Sequence, residues 1–197
     1  MYHIFNPRST NGGGKTSLVR AIMRKMQHLK DYKTQNGVFT EIFVTPSGEY
    51  VAVVGGYPKG IASGGVDRVK NVRDVVEAVA ELSMHGHVIL EGLLMSGLQQ
   101  LTKDIADACP GAVYHVRELD TPLDACIKNT LHRREVAGNT KPFDPNNSLT
   151  PKHRSTTMAT TKLKSWGMDA KAVSQWEAYK EACELFGLPF SEEDEIV

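Results

Sequence analysis

The sequence predicts an α/β fold, in which strands and helices alternate along the chain. Short apolar segments are followed repeatedly by longer segments whose apolar residues recur at helical spacing. The first apolar segment runs directly into a glycine-rich loop, and a helical pattern leaves that loop. The length of 197 residues suits a single domain with its own core, and we expect that domain to span residues 1–197.

The glycine-rich loop at residues 6–17 predicts a phosphate-binding site of the Walker A type. Glycines let the backbone approach a phosphate closely, and the N-terminus of the next helix adds a favourable dipole. Lys15 would reach the β- and γ-phosphates of ATP, and the Thr16 hydroxyl would bind Mg²⁺. The predicted nucleotide-binding residues are Asn11, Gly12, Gly13, Gly14, Lys15, Thr16 and Ser17.

One position departs from the usual loop pattern, because Ser9 stands where its first glycine is expected. The glycines lie instead at residues 12–14, immediately before the lysine. The alternative interpretation is a glycine-rich turn before an ordinary helix. The intact Gly-Lys-Thr-Ser end, with a strand before it and a helix after it, favours the nucleotide site.

Composition and charge indicate an ordinary globular protein, 41% hydrophobic and 23% charged. No apolar run reaches the roughly 18 residues that span a membrane, and no signal peptide is apparent, so we expect no membrane partner. Three widely spaced cysteines fit a reducing cytoplasm better than a disulfide framework or a metal cluster. The sequence gives no indication of the oligomeric state.

The first half of the chain predicts a helix followed by a hairpin. The helix should run from Thr16 to about Leu29, with a polar connection from Asp31 to Gly37. Residues 38–44 alternate and predict a strand, and residues 50–54 predict the returning strand after a Pro-Ser-Gly turn, which together indicate an antiparallel hairpin at a sheet edge. The glycine-dense segment 55–68 follows. It is either a flexible surface loop with a capping aspartate or an acceptor loop in which Asp67 or Arg68 faces the phosphoryl acceptor.

A second acid is predicted at the end of a buried strand. An amphipathic helix over residues 72–84 precedes the apolar strand 87–90, which ends at Glu91. A carboxylate at the carboxyl end of such a strand is the Walker B arrangement, beside the phosphate-binding loop and its Mg²⁺. Glu91 would hold Mg²⁺ through water or act as a base; the alternative is a solvated glutamate at a strand end.

The next segments predict a helix to about Ala108, a strand over residues 112–116, and a helix capped by Asp120 or Thr121. That last helix continues into Arg133 and Arg134. Arginine suits a developing phosphoryl charge because it is planar, permanently charged and bidentate. We therefore expect a lid over about residues 132–148; the alternative is a solvated helix face that ends at Gly138.

The C-terminal part is basic. Residues 128–164 hold eight lysines and arginines against two acids, a net charge of +6. A helix is predicted from Thr150 to about Trp166, and a last helix is expected to be capped by Asp169, which together form a basic helical extension over about residues 150–190. The predicted substrate-binding residues on the first of these helices are Lys152, Arg154, Lys162 and Lys164.

These motifs together resemble the P-loop kinases of the nucleoside monophosphate kinase group. The resemblance implies a three-layer α/β/α fold with a mainly parallel sheet, to which the edge hairpin and the C-terminal helices would be added. The stretches 64–68, 89–94, 119–123 and 133–142 resemble a narrower set of bacteriophage kinases, the 5-hydroxymethyluracil DNA kinases. That resemblance implies transfer of the γ-phosphate of ATP to the hydroxymethyl group of a modified pyrimidine in DNA, inside the infected bacterial cell.

Three functions remain open from the sequence. A DNA kinase must hold a phosphate backbone and extract a base, which the basic segment fits, although a basic stretch is usually only a solvated face. Asp67 could then orient or deprotonate the hydroxymethyl group. A kinase acting on free deoxynucleoside monophosphates would need arginines but no base, and other small acceptors are also compatible. A non-catalytic, ATP-gated binding module is the third reading.

Overall fold

The computed structural model describes residues 1–58 and 64–196, which build one seven-stranded sheet. Its spatial order is β2-β3-β4-β5-β1-β6-β7. Strands β4, β5, β1, β6 and β7 run parallel, and β2 and β3 pair antiparallel beside them. The strands are β1 (Tyr2–Arg8), β2 (Gln27–Lys33), β3 (Phe39–Val44), β4 (Tyr50–Val54), β5 (His87–Ile89), β6 (Ala112–Leu119) and β7 (Asp169–Val173).

Helices cover both faces of this sheet. They are α1 (Lys15–Met23), α2 (Asp74–Ser83), α3 (Leu93–Gly97), α4 (Gln99–Ala108), α5 (Leu123–Val136), α6 (Pro145–Ser148), α7 (Thr150–Ser165) and α8 (Gln175–Leu185). Successive residues of a strand point to opposite faces, so Ile4 joins the core beneath α2, α4 and α7, whereas Phe5 joins the core beneath α1 and α8. The three-layer architecture, the mainly parallel sheet and the hairpin β3–β4 are confirmed.

The hairpin is not the outermost part of the sheet, and the first helix is shorter than predicted. Helix α1 ends at Met23, and residues 27–33 form the edge strand β2 instead of the end of a helix and a polar connection. Nearly all of β2 is exposed, including Leu29, so no apolar alternation marks it in the sequence. Its pairing with β3 supplies the strand geometry.

The prediction was also wrong at the seventh strand, where it placed a helical extension. Asp169 does not cap the last helix; it begins β7, which pairs with β6 inside the segment predicted to be a helical extension. The last helix is capped by Ser174, whose side chain accepts a hydrogen bond from the Glu177 backbone N–H, while the Glu177 carboxylate accepts one from the Ser174 N–H. This reciprocal capping box, absent at Asp169, fixes where α8 begins.

Smaller differences concern helix ends. The helix predicted to reach Ala108 is two helices, interrupted at Leu98, and neither Asp120 nor Thr121 caps α5, which begins after Pro122 without a side-chain cap. Residues 59–63 of the predicted acceptor loop lie outside the described residues. In the described part of the chain, the helices are too short or too polar to cross a membrane.

Candidate active site

A pocket of about 630 Å³ opens where β1 and β5 end. Parallel strands direct their carboxyl ends to the same edge of a sheet, which is where ligands bind in such folds. The pocket brings together most of the predicted site residues: residues 11–17 of the glycine-rich loop, Asp67, Glu91 and Arg133. It adds several that the sequence did not single out: Arg20, Gly64, Asn129, His132, Gln175 and Ile196.

The serine at position 9 lies directly against the glycine at position 13. A Cβ atom on Gly13 would lie 1.7 Å from the Ser9 Oγ, so no other residue fits there while Ser9 is present. Gly14 has a φ of 90°, which favours glycine, and α1 starts directly after it. Ser9 therefore accounts for the glycine at position 13, whereas a Cβ atom on Gly12 would meet the Cys126 carbonyl and one on Gly14 would meet the Gln175 side chain.

Three side chains from distant elements hold the carbonyl groups of this loop. The Asn129 amide donates to the Gly12 carbonyl at 2.9 Å, the Thr121 hydroxyl to the Gly13 carbonyl at 3.0 Å, and the Gln175 amide to the Gly14 carbonyl at 3.1 Å. In a planar trans peptide the N–H points opposite to the C=O.

The N–H groups of residues 13–15 are thus turned away from these three donors. Sequence reasoning missed Asn129 and Gln175, and it assigned Thr121 to a helix cap. No local pattern marks them, because their partners lie more than 100 residues away.

The Lys15 side chain is buried at the base of the pocket. Its Nζ donates to the carbonyl of Ser9 at 2.9 Å and to that of Thr10 at 3.3 Å. Burial lowers the pKa of the Lys15 ammonium, the charge of Glu91 opposes that shift, and the nearby Arg133 guanidinium adds to it. Glu91 and Arg133, which the sequence predicted to share the site of Lys15, are thus close enough for their charges to act on it.

Glu91 and Thr16 meet at the same place. The Thr16 hydroxyl donates to the Glu91 carboxylate at 2.8 Å. Burial raises the pKa of Glu91, and the charge of Lys15 limits the rise. Burial, followed by the charge of Glu91, raises the pKa of the Tyr57 hydroxyl well above its usual range. Mg²⁺ prefers oxygen ligands, and the hydroxyl and carboxylate at the loop fit such an ion.

Asp67 and Arg68 face different cavities, although they are neighbours in one 3₁₀ turn. Asp67 lines the active-site pocket, and its carboxylate accepts hydrogen bonds of 2.8 and 2.9 Å from the Leu93 N–H at the start of α3. Arg68 lines a second cavity of about 900 Å³ beside the ends of β3 and β4. That cavity is also lined by Lys33, Phe39, Glu41, Tyr57 and Lys70, among others.

The two predicted lid arginines, Arg133 and Arg134, also face different parts of the molecule. Arg133 lines the active-site pocket. Arg134 points to the segment after α5, where its guanidinium donates to the Asn139 side chain at 3.4 Å and to the Lys141 carbonyl. The same guanidinium lies 4.8 Å from the centre of the Phe143 ring. Arg134 therefore ties α5 to residues 139–143 and is absent from the pocket lining.

The four basic residues on α7 form two pairs, one toward the active-site edge of the sheet and one toward the opposite edge. Thr157 donates to the Glu118 side chain near the carboxyl end of β6, so the first turns of α7 lie at the active-site edge. The helix ends close to the start of β7, at the opposite edge. Lys152 and Lys164 are about 18 Å apart along the axis. Lys152 and Arg154 therefore lie nearer the pocket than Lys162 and Lys164, and all four are exposed.

A second acidic cluster lies toward the amino ends of the strands. His115, Asp169 and Glu181 hold atoms of the kind that bind metals close together. The Arg117 guanidinium already bridges the two acids, at 2.6 Å from Asp169 and 2.5 Å from Glu181. The Lys171 ammonium, 3.3 Å from Glu181, supplies the second positive charge, so this cluster is explained as a partly buried ion-pair network.

Comparison with known proteins gives two relatives with the same name. A "5-hmdU DNA kinase" of Pseudomonas phage M6 is 30% identical over 141 residues, covering 65% of this chain and 70% of the relative. A "5-hmdU DNA kinase" of Pseudomonas phage PaMx11 is 28% identical over 155 residues, covering 74% of this chain and 77% of the relative. No family model matches the sequence.

Among solved structures, a de novo designed protein with a P-loop NTPase fold aligns with 95% of this chain and 91% of its own. The sequence identity is 12% and the TM-score is 0.39.

Proposed function

Because the chain belongs to the family of the phage 5-hmdU DNA kinases, we propose that it transfers the γ-phosphate of ATP to the hydroxymethyl group of 5-hydroxymethyluracil in DNA. The chain is a phosphotransferase, and the proposal concerns its donor, its acceptor and the roles of its residues. The observation that carries it is the meeting of Thr16 and Glu91, 2.8 Å apart, beside Lys15 at the glycine-rich loop.

The loop supports a nucleotide triphosphate in a definite orientation. The phosphates of ATP would lie against the backbone of residues 12–16, on the side away from the held carbonyls. The Gly13 N–H, which donates to the Thr10 carbonyl at 3.3 Å, would exchange that bond for a phosphate oxygen. Lys15 would exchange the carbonyls of Ser9 and Thr10 for phosphate oxygens. Thr16 and Glu91 would hold Mg²⁺, which neutralises charge on the β- and γ-phosphates when it is bound.

Asp67 is the proposed group for the acceptor. The hydroxymethyl oxygen forms a bond to the γ-phosphorus while the bond from that phosphorus to ADP breaks. Asp67 accepts the hydroxyl proton and later releases it to water. A carboxylate has about four lone-pair positions, so it can keep its hydrogen bonds to the Leu93 and Leu94 N–H groups and still take this proton.

Arg133 and Arg134 have different roles in the proposed lid, residues 132–148. Arg133, which lies near Lys15 in the pocket, would contact the transferring phosphoryl group. Arg134 would act on the segment 139–143, which its side chain already holds through two hydrogen bonds and a ring contact. Arg133 is therefore the proposed catalytic residue of the pair, and Arg134 is a positioning residue.

The second cavity is the proposed place for the extracted base. Phe39 offers a ring for stacking, and Arg68 and Glu41 offer polar groups for the base edges. Tyr57 lines this cavity, while its hydroxyl lies close enough to Glu91 and Asp67 for their charges to raise its pKa. The Tyr57 side chain thus extends from this cavity toward the two acids of the phosphoryl site.

The same cavity supports one alternative, a kinase of free deoxynucleoside monophosphates. Lys33, Arg68 and Lys70 line it together, and three cationic side chains suit a monophosphate group. With DNA as the acceptor, Lys152, Arg154, Lys162 and Lys164 would instead contact backbone phosphates. We place either reaction in the cytoplasm of the infected bacterial cell.

The deciding experiment supplies γ-labelled ATP and Mg²⁺ with three acceptors in parallel: DNA containing 5-hydroxymethyluracil, matched unmodified DNA, and free nucleoside monophosphates. Label on the modified DNA alone is the expected result, and the Lys15→Ala variant should give none while keeping its circular dichroism spectrum. Label on a free monophosphate with none on DNA would replace the proposal with the alternative. ATP hydrolysis without any labelled acceptor would indicate the ATP-gated module.

A further inference from the structure

A short helix at the rim of the active site exposes two leucines. Helix α3 begins two residues after Glu91, and Leu94 and the C-cap residue Leu98 keep 58% and 42% of their surface exposed. Leu98 directly follows the last residue of α3, about one helical turn after Leu94. Single exposed leucines are ordinary, but two together beside the reacting groups form an apolar edge at the entrance to the site.

This apolar edge is held in place at both ends. The Asp67 carboxylate, which lines the active-site pocket, accepts hydrogen bonds from the N–H groups of Leu93 and Leu94. At the other end of α3, a Cβ atom on Gly97 would lie 3.0 Å from the Ser155 Oγ of α7. The leucines therefore occupy a fixed place between the pocket and the first turns of α7.

Helix α7 supplies positive charge at that place. Its 16 residues contain no acid, and Lys152 and Arg154 lie exposed on either side of the residues that approach α3. Lysine and arginine neutralise DNA phosphates, and apolar side chains of DNA-binding proteins enter the base stack. Apolar residues beside exposed cations thus complement the two chemically different parts of a DNA duplex.

A base within a duplex must leave the stack before its hydroxymethyl group can reach a phosphoryl donor in a pocket. We propose that Leu94 enters the duplex as the modified base leaves and fills the space it vacates, while Leu98 packs against the adjoining base pair. This inference rests on the proposed function, because it requires DNA as the acceptor. It makes Leu94 the residue that permits reaction on double-stranded DNA, with no part in phosphoryl transfer itself.

The test compares one oligonucleotide containing 5-hydroxymethyluracil as a duplex and as a single strand. Wild type, Leu94→Ala and Leu29→Ala are assayed with γ-labelled ATP; Leu29 is a matched control because it is 49% exposed on the edge strand β2. Leu94→Ala should lose about tenfold in kcat/KM on the duplex, because no side chain would then fill the space that the extracted base vacates. On the single strand it should stay within about twofold of wild type, and Leu29→Ala should match wild type on both.

A second readout separates base extraction from chemistry. A 2-aminopurine placed opposite the modified base should brighten when wild type binds, and brighten less with Leu94→Ala. A mismatch opposite the modified base should restore the variant, because less pairing energy must be overcome. Equal losses on duplex and single strand, an unchanged rate on the duplex, or no restoration by the mismatch would each overturn the inference. Failure of the proposed function looks different, since wild type would then label neither form of the DNA.

Discussion

The Thr16 hydroxyl donates a hydrogen bond to the Glu91 carboxylate across 75 residues of sequence. The bond joins the first turn of α1 to the end of the β5 segment, so it depends on β1 and β5 lying side by side in parallel. The Lys15 ammonium is close enough to Glu91 for its charge to oppose the rise in the Glu91 pKa. A divalent cation would find two oxygen ligands already close to each other here.

The first prediction concerns this pair. Glu91→Gln removes the negative charge but keeps the shape, so the Mg²⁺ concentration for half-maximal transfer should rise about 10- to 100-fold. Magnesium titrations of the rate measure it, with Glu184→Gln on the exposed side of α8 as control. Chelation of Mg²⁺ should stop transfer in both proteins. An unchanged Mg²⁺ requirement in Glu91→Gln would contradict the assigned ligand.

The second prediction concerns Asp67. Asp67→Asn keeps an oxygen that can accept from the Leu93 N–H, so α3 should stay folded. The variant cannot take the hydroxyl proton, so kcat should fall by roughly 10²- to 10⁴-fold while ATP affinity is unchanged. Stopped-flow rates and nucleotide binding measure the two quantities separately. Asp104→Asn, exposed on α4, is the control. Full activity of Asp67→Asn would assign the base elsewhere.

The third prediction separates the two lid arginines. Arg133→Ala should lower kcat on the order of 10³-fold, because the lost guanidinium would contact the transferring phosphoryl group. Arg134→Ala should cost less in rate, and it should increase proteolytic cleavage within residues 139–143, which its side chain holds. Rapid-quench assays and limited proteolysis measure these effects. If the two variants have the same kcat and the same cleavage pattern, the division between them is wrong.

The fourth prediction compares the two pairs of basic residues at opposite ends of α7. If DNA phosphates contact a basic residue, the log–log dependence of affinity on salt changes by about 0.7 to 0.9 for each contact. Replacing Lys152 and Arg154 together by alanine should therefore flatten the slope more than replacing Lys162 and Lys164 together, since the first pair lies at the active-site edge. Binding isotherms between low and moderate salt test this. An unchanged slope in both double variants would place the DNA elsewhere.

The fifth prediction concerns pH and three histidines at the amino ends of adjacent strands. The His3 Nδ1 lies 3.0 Å from the His115 Nε2, and the rings of His3 and His87 stack. Burial lowers the pKa of His3, and the neighbouring His115 and His87 lower it further; burial also lowers the pKa of His87, which Glu49 partly opposes. The folded state therefore favours the neutral forms of His3 and His87.

The unfolded chain binds more protons than the folded protein once the pH falls below about 6.5, so the free energy of unfolding should decrease there. Urea denaturation at pH 7.5 and pH 5.5 measures the decrease, and His3→Gln should reduce it because one titrating group is gone. His28→Gln, exposed on β2, should behave as wild type. A His3→Gln protein with the wild-type pH dependence would exclude His3 as the source.

Local sequence predicted the parts of the site that lie next to each other along the chain. The loop at residues 11–17 was predicted because the glycines, the lysine and the threonine occupy one strand-loop-helix segment. Glu91 was predicted because it follows the buried strand segment 87–90 and stands directly before Gly92. Both signals are short-range, so the residues carry them without any knowledge of their neighbours in space.

Contacts between distant segments decided the rest, and no local pattern could show them. Strand β2 is polar and exposed and is a strand through its pairing with β3, and β7 is a strand through its pairing with β6. The division between Arg133 and Arg134 arises because neighbouring residues on a helix point about 100° apart. The sequence by itself determined which residues can bind a phosphate. The tertiary structure decided which of them share a pocket, because the strand order places β5 and β6 on either side of β1, and α5 follows β6 at the same edge of the sheet.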